Sequence, residues 1–268
     1  MQVRRYMPGQ QFDDAVEAYT LLEMDQHTVA QPLRMLPPLS ISLCLHYGGQ
    51  VVAGYRSELA TVGSALTGMH TAPRTYATHG KVGIVLVTFR AGAIGQFFRL
   101  DADELLHLNV DLADLLPAGE RERIEEALAG APDDGARVAQ VERFLARIRT
   151  GMQADQLARR AAAMIAQRGG EVSIARLAAA HHLSERQLER RFTRAIGITP
   201  KKYARLARFH RMVGQIGKAG SIAELAAECG YYDQSHLVKD CRQFSGGVAE
   251  LLPHSGVTDL IFGETSSR

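Results

Sequence analysis

The spacing of apolar positions changes once along this chain. Over 39–47 they alternate strictly. Leu39, Ile41, Leu43, Leu45 and Tyr47 fall on one face, and Ser40, Ser42, Cys44 and His46 on the other, which predicts a strand with one apolar side. Gly48-Gly49 then reads as a turn, and Gln-Val-Val-Ala-Gly from Gln50 as the returning strand. Residues 82–89 are apolar on both faces and read as a central strand. Glycines recur from Gly48 to Gly95, and short strands between regular turns suit a small β-barrel or sandwich. After Asp101 the spacing lengthens. Residues 102–106 and 119–128 read as helices, and Val138, Val141, Leu145 and Ile148 form a stripe at helical spacing. That stripe either packs on the barrel or serves as a dimerisation or linker helix. Thr150-Gly151 ends it, and the domain boundary is placed there: a β-rich domain over 1–150 and a helical one over 151–268.

The helical part contains a near-repeat. Ser-Ile-Ala-Arg-Leu-Ala-Ala begins at Ser173, and Ser-Ile-Ala-Glu-Leu-Ala-Ala at Ser221. Each is followed by a turn and a second, more polar helix. The spacing predicts helix–turn–helix units over about 173–195 and 221–244. Leu157, Ala161, Met164 and Ile165 give the apolar face of a preceding helix, which Gly169-Gly170 stops. Thr199-Pro200, an N-cap followed by proline at N1, starts a helix running to about Ile216. Seven helices are expected in all.

The two units align residue by residue. Leu177 pairs with Leu225, Ala178 with Ala226, and His182 with Gly230 at a turn position that favours positive φ. One extra residue then enters the second turn. Ser184 therefore pairs with Asp233 as N-cap, Leu188 with Leu237, and Arg190 with Lys239. In the first unit Ile174, Leu177 and Ala178 face inward and Leu188 and Phe192 anchor the second helix. Glu185, Arg186, Glu189, Arg190 and Thr193 are left facing out. In the second unit Gln234, Ser235, Val238 and Lys239 do so. Arg pairs bidentately with guanine, Gln with adenine, Glu accepts from cytosine, and Lys suits guanine or phosphate. Recognition helices held about 34 Å apart would enter successive major grooves of double-stranded DNA.

Charge sharpens this picture. Residues 1–152 hold 14 Lys/Arg against 18 Asp/Glu, a net −4, and residues 153–268 hold 17 against 11, a net +6. A basic half joined to an acidic half suits a DNA-binding module beside a sensing one. Arg190, Arg191, Arg194, Lys201, Lys202, Arg205, Arg208 and Arg211 form a basic series expected to supply phosphate contacts. With 46% hydrophobic residues the chain can bury a core, so wholesale disorder is not expected. No run of about 18 apolar residues predicts a membrane span, and no secretory signal is expected. Cys44, Cys229 and Cys241 lack Cys-x-x-Cys spacing, which predicts reduced thiols and a cytoplasmic location.

The chain here resembles the AraC/XylS family of bacterial transcription regulators, over roughly residues 155–250. The residues carrying the resemblance are Leu-Ala-x3-His-Leu-Ser-x3-Leu-x-Arg-x-Phe, then Gly-Ile-Thr-Pro-Lys-Lys-Tyr from Gly197. They continue in Ile-Ala-x2-Ala-x2-Cys-Gly-Tyr-Tyr-Asp-Gln-Ser-His-Leu from Ile222. The resemblance implies DNA contacts at Arg186, Glu189 and Arg190, and at Gln234, Ser235, Val238 and Lys239; Arg194 and Arg242 are expected to bind DNA as well. It also implies activation through contact with RNA polymerase. Gly-Ile-Val-Leu-Val-Thr-Phe-Arg-Ala-Gly from Gly83 resembles the cupin-like barrel of one subgroup. The expected fold is thus a two-domain α+β chain: a cupin-like barrel with trailing helices, then an all-α domain with two helix–turn–helix units. Two positions depart from the family pattern: Cys241 stands where Phe is usual, and the segment after Phe244 differs.

No catalytic constellation is found: no Walker loop, no Gly-x-Ser-x-Gly, no His-Glu-x-x-His. His27, His46, His70 and His79 are scattered, without His-x-His and a following carboxylate, so no metal or other cofactor is expected. His181-His182 reads as a helix end and its turn. Cys44 lacks the metal-ligating cysteine cluster of DNA-repair relatives. The barrel is expected to bind a small effector, with Ser42, Cys44 and His46 as polar contacts, and so bias DNA binding. The alternatives are a barrel that only forms a homodimer or takes a protein partner and, remotely, a barrel enzyme with a vestigial helical domain.

Overall fold

The structure, a computed structural model, describes residues 1–24, 33–55, 58–218 and 221–251. His27 lies outside the described residues. The β-rich part begins with β1 (Gln2–Tyr6), β2 (Val16–Met24), β3 (Leu33–Met35) and β4 (Ser42–Tyr55). It continues with β5 (Glu58–Val62), β6 (Ala65–Thr67), β7 (Arg74–Phe89) and β8 (Asn109–Asp111). All pair antiparallel in one sheet of order β1-β2-β7-β4-β6-β8, with β3 added on β7 and β5 on β4. The apolar 82–89 segment is central as expected, with β2 on one side and β4 on the other.

Gly48-Gly49 is not a hairpin turn. Strand β4 passes straight through it, pairing with β7 from Ser42↔Thr88 to Gly54↔Thr75, with register shifts at Gly48. The glycines make a bulge that bends both strands. Gly49 has φ +69°, and a β-carbon there would lie 2.6 Å from Lys81 O. Opposite, a β-carbon on Gly83 would meet the Tyr47 ring at 2.3 Å. Only glycine fits at either place.

Alternation along the strands gives the sheet two faces. Tyr19, Leu21, Leu43, Leu45, Val85 and Val87 are completely buried and share one core with Val141, Phe144 and Leu145. Those last three belong to α3 (Asp134–Ile148), which follows α1 (Leu112–Leu115) and α2 (Glu120–Ala129). The stripe Val138, Val141, Leu145 and Ile148 therefore packs within the chain. Polar bonds pin α3 in place: Tyr6 OH donates to Asp134 Oδ2 at 2.8 Å, Gly9 N to Glu142 Oε1 at 2.7 Å, and Arg4 pairs with Asp134. Thr150 N then donates to Gln96 O at 2.7 Å, tying the exit from α3 to the 3-10 turn Ile94–Gln96 that follows β7.

Asp155 caps the next helix, α4 (Gln156–Gln167), accepting from Leu157 N and Ala158 N, both at 3.0 Å. Ala158, Ala161, Ala162 and Ile165 make its buried face, whereas Met164 is exposed, contrary to the sequence expectation. Then come α5 (Ile174–Ala180), α6 (Glu185–Ile196), α7 (Pro200–Val213), α8 (Ile222–Glu228) and α9 (Gln234–Phe244). Among the described residues this part has six α-helices rather than seven, and residues 249–251 form only a 3-10 turn. Helix α7 starts as expected, with Thr199 Oγ1 accepting from Lys202 N at 3.3 Å, but stops at Val213. The altered ending folds onto the core. Ser245 Oγ donates to Cys241 O at 2.7 Å and lies 2.9 Å from Gly247 O, and Cys241 and Phe244 are completely buried.

Candidate nucleic-acid interface and ligand cavity

The repeat seen in sequence is a repeat in geometry. His182 has φ 56° and Gly230 φ 74°. Leu183 N donates to Ala178 O at 3.0 Å, and Tyr231 N to Ala226 O at 2.9 Å, so the same bond closes both turns. Ser184 caps α6 in a capping box with Gln187, and Asp233 caps α9 by accepting from His236 N at 2.7 Å. Leu188, Phe192 and Phe244 are completely buried, and Leu237 nearly so. Each such side chain stabilises its helix's seat by roughly 1.5–3 kcal/mol.

That seating leaves Arg186, Glu189 and Arg190 exposed along α6, and Gln234, Ser235, Lys239 and Arg242 exposed along α9. Val238 is half-buried against the core. Thr193 differs from expectation: its hydroxyl oxygen is buried. Tyr232 went unremarked in the sequence reading. It is 94% exposed, one residue ahead of the α9 cap. The signal was present, because the adjacent Tyr231 fills the position facing the core and leaves Tyr232 to point outward.

The basic series divides. Arg205 donates to Asp240 Oδ1 at 2.6 Å, and Arg211 to Glu171 Oε2 at 2.9 Å. Arg208 lies over the Tyr231 ring, Arg191 pairs with Asp155, and Arg194 donates to Asp101 Oδ2 at 2.6 Å. Five of the eight are thus engaged within the chain, while Arg190 and Lys201 are exposed and Lys202 partly so.

The second face of the sheet borders a cavity of about 720 Å³. Thr20, Leu22, Met24, Ile84 and Leu86 line it, together with Ser42, Cys44 and His46. Its far wall comes from the helical part: Arg159, Ala163 and Ala166 of α4, and Tyr203 and His210 of α7. The cavity therefore lies where the two parts meet. His210 Nε2 is 2.8 Å from Pro37 O, linking α7 to a segment that also lines it. Arg74 reaches the lining and donates to Asn109 Oδ1 at 2.6 Å. Burial keeps the imidazoles neutral: it lowers His46 and His210, and brings His70 down to about 3. Burial also pushes the Cys44 thiol up to about 12, so it is no thiolate nucleophile at neutral pH.

Residues 177–248 match the family model of a helix-turn-helix domain, and residues 4–111 that of a domain of unknown function (DUF6597). No curated protein matches the chain. Among solved structures it is similar to wild-type ToxT from Vibrio cholerae with unsaturated fatty acid bound. Identity is 9% and the TM-score 0.47, over 93% of this chain and 97% of that one. It is also similar to the AraC-like transcriptional activator CuxR, at 16% identity and TM-score 0.25, over 81% of this chain and 87% of that one. A cupin superfamily protein from Desulfitobacterium hafniense matches 33% of this chain and 77% of its own, at 14% identity and TM-score 0.20.

Proposed function

We propose that the chain, whose helix–turn–helix domain follows a separate β-rich domain, is a transcription regulator of the AraC/XylS type and reads two successive major grooves of DNA. Helix α6 presents Arg186, Glu189 and Arg190 to one groove, and α9 presents Gln234, Ser235 and Lys239 to the next. Arg190 and Arg186 suit guanine edges, Gln234 suits adenine, and Lys201, Lys202 and Arg242 suit phosphates. Tyr232, exposed one residue ahead of the α9 cap, suits a contact with the DNA backbone. The observation that carries this reading is the shared construction of the two units. Both turns have the same positive φ and the same closing bond, so both helices offer an exposed polar face.

The cavity at the domain junction is the place for a small effector. Its volume falls within the range of ordinary ligand sites, roughly 300–1,000 Å³. A mostly apolar molecule with a polar end would match the lining, with Ser42, Cys44 and His46 on one wall. Since α4 and α7 form another wall, binding there would act on the helices against which α6 and α9 pack. Contact with RNA polymerase follows from the family resemblance. We assign the chain no catalysis.

Arg190→Ala tests the reading at one base pair. It is expected to cost about 1–3 kcal/mol in DNA affinity and to relax sequence choice at a single position. Affinity measured on duplexes substituted one base pair at a time checks this. An equal loss on every duplex would make Arg190 a phosphate contact and remove it from the reading surface.

A further inference from the structure

Helix α6 serves two surfaces. Its exposed residues begin the stripe assigned above to DNA, and its last turn is set into the regulatory domain. Ile196 and Ile198 are buried there. A β-carbon on Gly197 would lie 2.9 Å from Ala102 O and 3.2 Å from Met69 Cγ, so backbone meets backbone without room for a side chain. A β-carbon on Gly92 would come within 3.7 Å of Ile196 Cδ1. Gly92 follows directly on Phe89, Arg90 and Ala91, which line the cavity. The cavity wall and the seat of α6 are thus one continuous piece of chain.

Arg194 lies on the DNA-facing stripe. At about 100° per residue it stands about 40° round the helix from Arg190 and about 80° from Arg186. With Arg186 and Arg190 on base edges, Arg194, exposed one turn further along α6, is the next cation that the phosphates flanking the groove would meet. Its guanidinium is already held by Asp101, 2.6 Å away, in a pair that is 68% and 37% exposed. Asp103 and Glu104 are exposed on the same turn, so three carboxylates stand where phosphates would arrive. Arg194 is held above its ordinary pKa by its bond to Asp101, with smaller contributions from Asp103 and Glu104.

We propose that the acidic turn 101–104 of the regulatory domain competes with DNA phosphate for Arg194, so that the docked regulatory domain restrains the first recognition helix. This rests on the assignment of α6 to DNA. To bind, Arg194 must exchange a carboxylate for a phosphate. While Asp101 keeps Arg194, one phosphate contact is lost, and with it the counterion that contact would release from the DNA.

The test uses the full chain and a random-sequence duplex about four helical turns long, titrated across salt concentrations. Asp101→Asn is expected to bind several-fold more tightly at low salt, with the slope of log K against log salt steeper by about 0.9. In an Arg194→Ala background the same substitution should lose most of its effect. Asp114→Asn, which removes an exposed carboxylate from α1, should match the wild type. Three results would overturn the proposal: Asp101→Asn binding like the wild type, its gain persisting in full without Arg194, or an equal gain from Asp114→Asn. Absence of binding by every variant would instead remove the assignment of α6 to DNA, and this inference with it.

Discussion

Arg205 sits in a row of basic side chains, yet its guanidinium is turned inward. It bonds Asp240 at 2.6 Å and Gln243 Oε1 at 2.8 Å, and Asp240 is completely buried. A carboxylate buried that deeply depends on its partner. Arg205→Ala is expected to lower stability by about 2–3 kcal/mol. That is less than for a fully enclosed pair, because the Arg205 side chain is 31% exposed. Urea denaturation measures it, and an unchanged midpoint would show that Asp240 finds other support. The same residue marks what the sequence could tell of the site. The outward face of α6 was legible, because Leu188 and Phe192 fix which side is inward. The division of the basic series was not. It depends on Asp101, Asp155, Glu171 and Asp240, and no local pattern brings those carboxylates to their arginines.

At the scale of elements, legibility follows the range of the determining interaction. The N-caps expected at Ser184, Thr199 and Asp233 are all real, because a cap and its N–H groups lie within three residues of each other, and Ser173 and Ser221 at the heads of the repeat prove to be caps as well. The bend at Gly48-Gly49 was misread because a hairpin turn and a bulge ask the same thing of the chain locally, a glycine with positive φ. What separates them is whether residues 50–54 pair back on 42–46 or continue along β7, a matter of distant partners. The α3 stripe shows the same limit from the other side. Its period gave a helix, but only the tertiary structure shows it facing the sheet core rather than a second molecule.

At the scale of the whole molecule, the two domains meet around buried imidazoles. His46 and His70 line the cavity, and His210 bonds across the junction. Burial lowers all three, His70 from the ordinary 6.5 to about 3. A depressed folded-state pKa means that the unfolded chain binds more protons in the intervening range. Stability is therefore full above about pH 6.5 and falls as the pH drops towards the folded values. The melting temperature is expected to fall between about pH 7 and pH 5, before carboxylates are protonated, and His70→Asn should lessen that fall. A flat profile over this range would mean the imidazoles are not held neutral. Glu23, lowered by its hydrogen bond from Arg4, contributes only in more acidic solution.

Selection of DNA fragments by the full-length protein, followed by sequencing, shows whether one chain reads two grooves. A motif with two half-elements about one helical turn apart is expected, one weakened by Arg190→Ala and the other by Lys239→Ala. A motif with a single element, indifferent to Lys239, would contradict two-groove reading and leave α9 as a support for α6 alone.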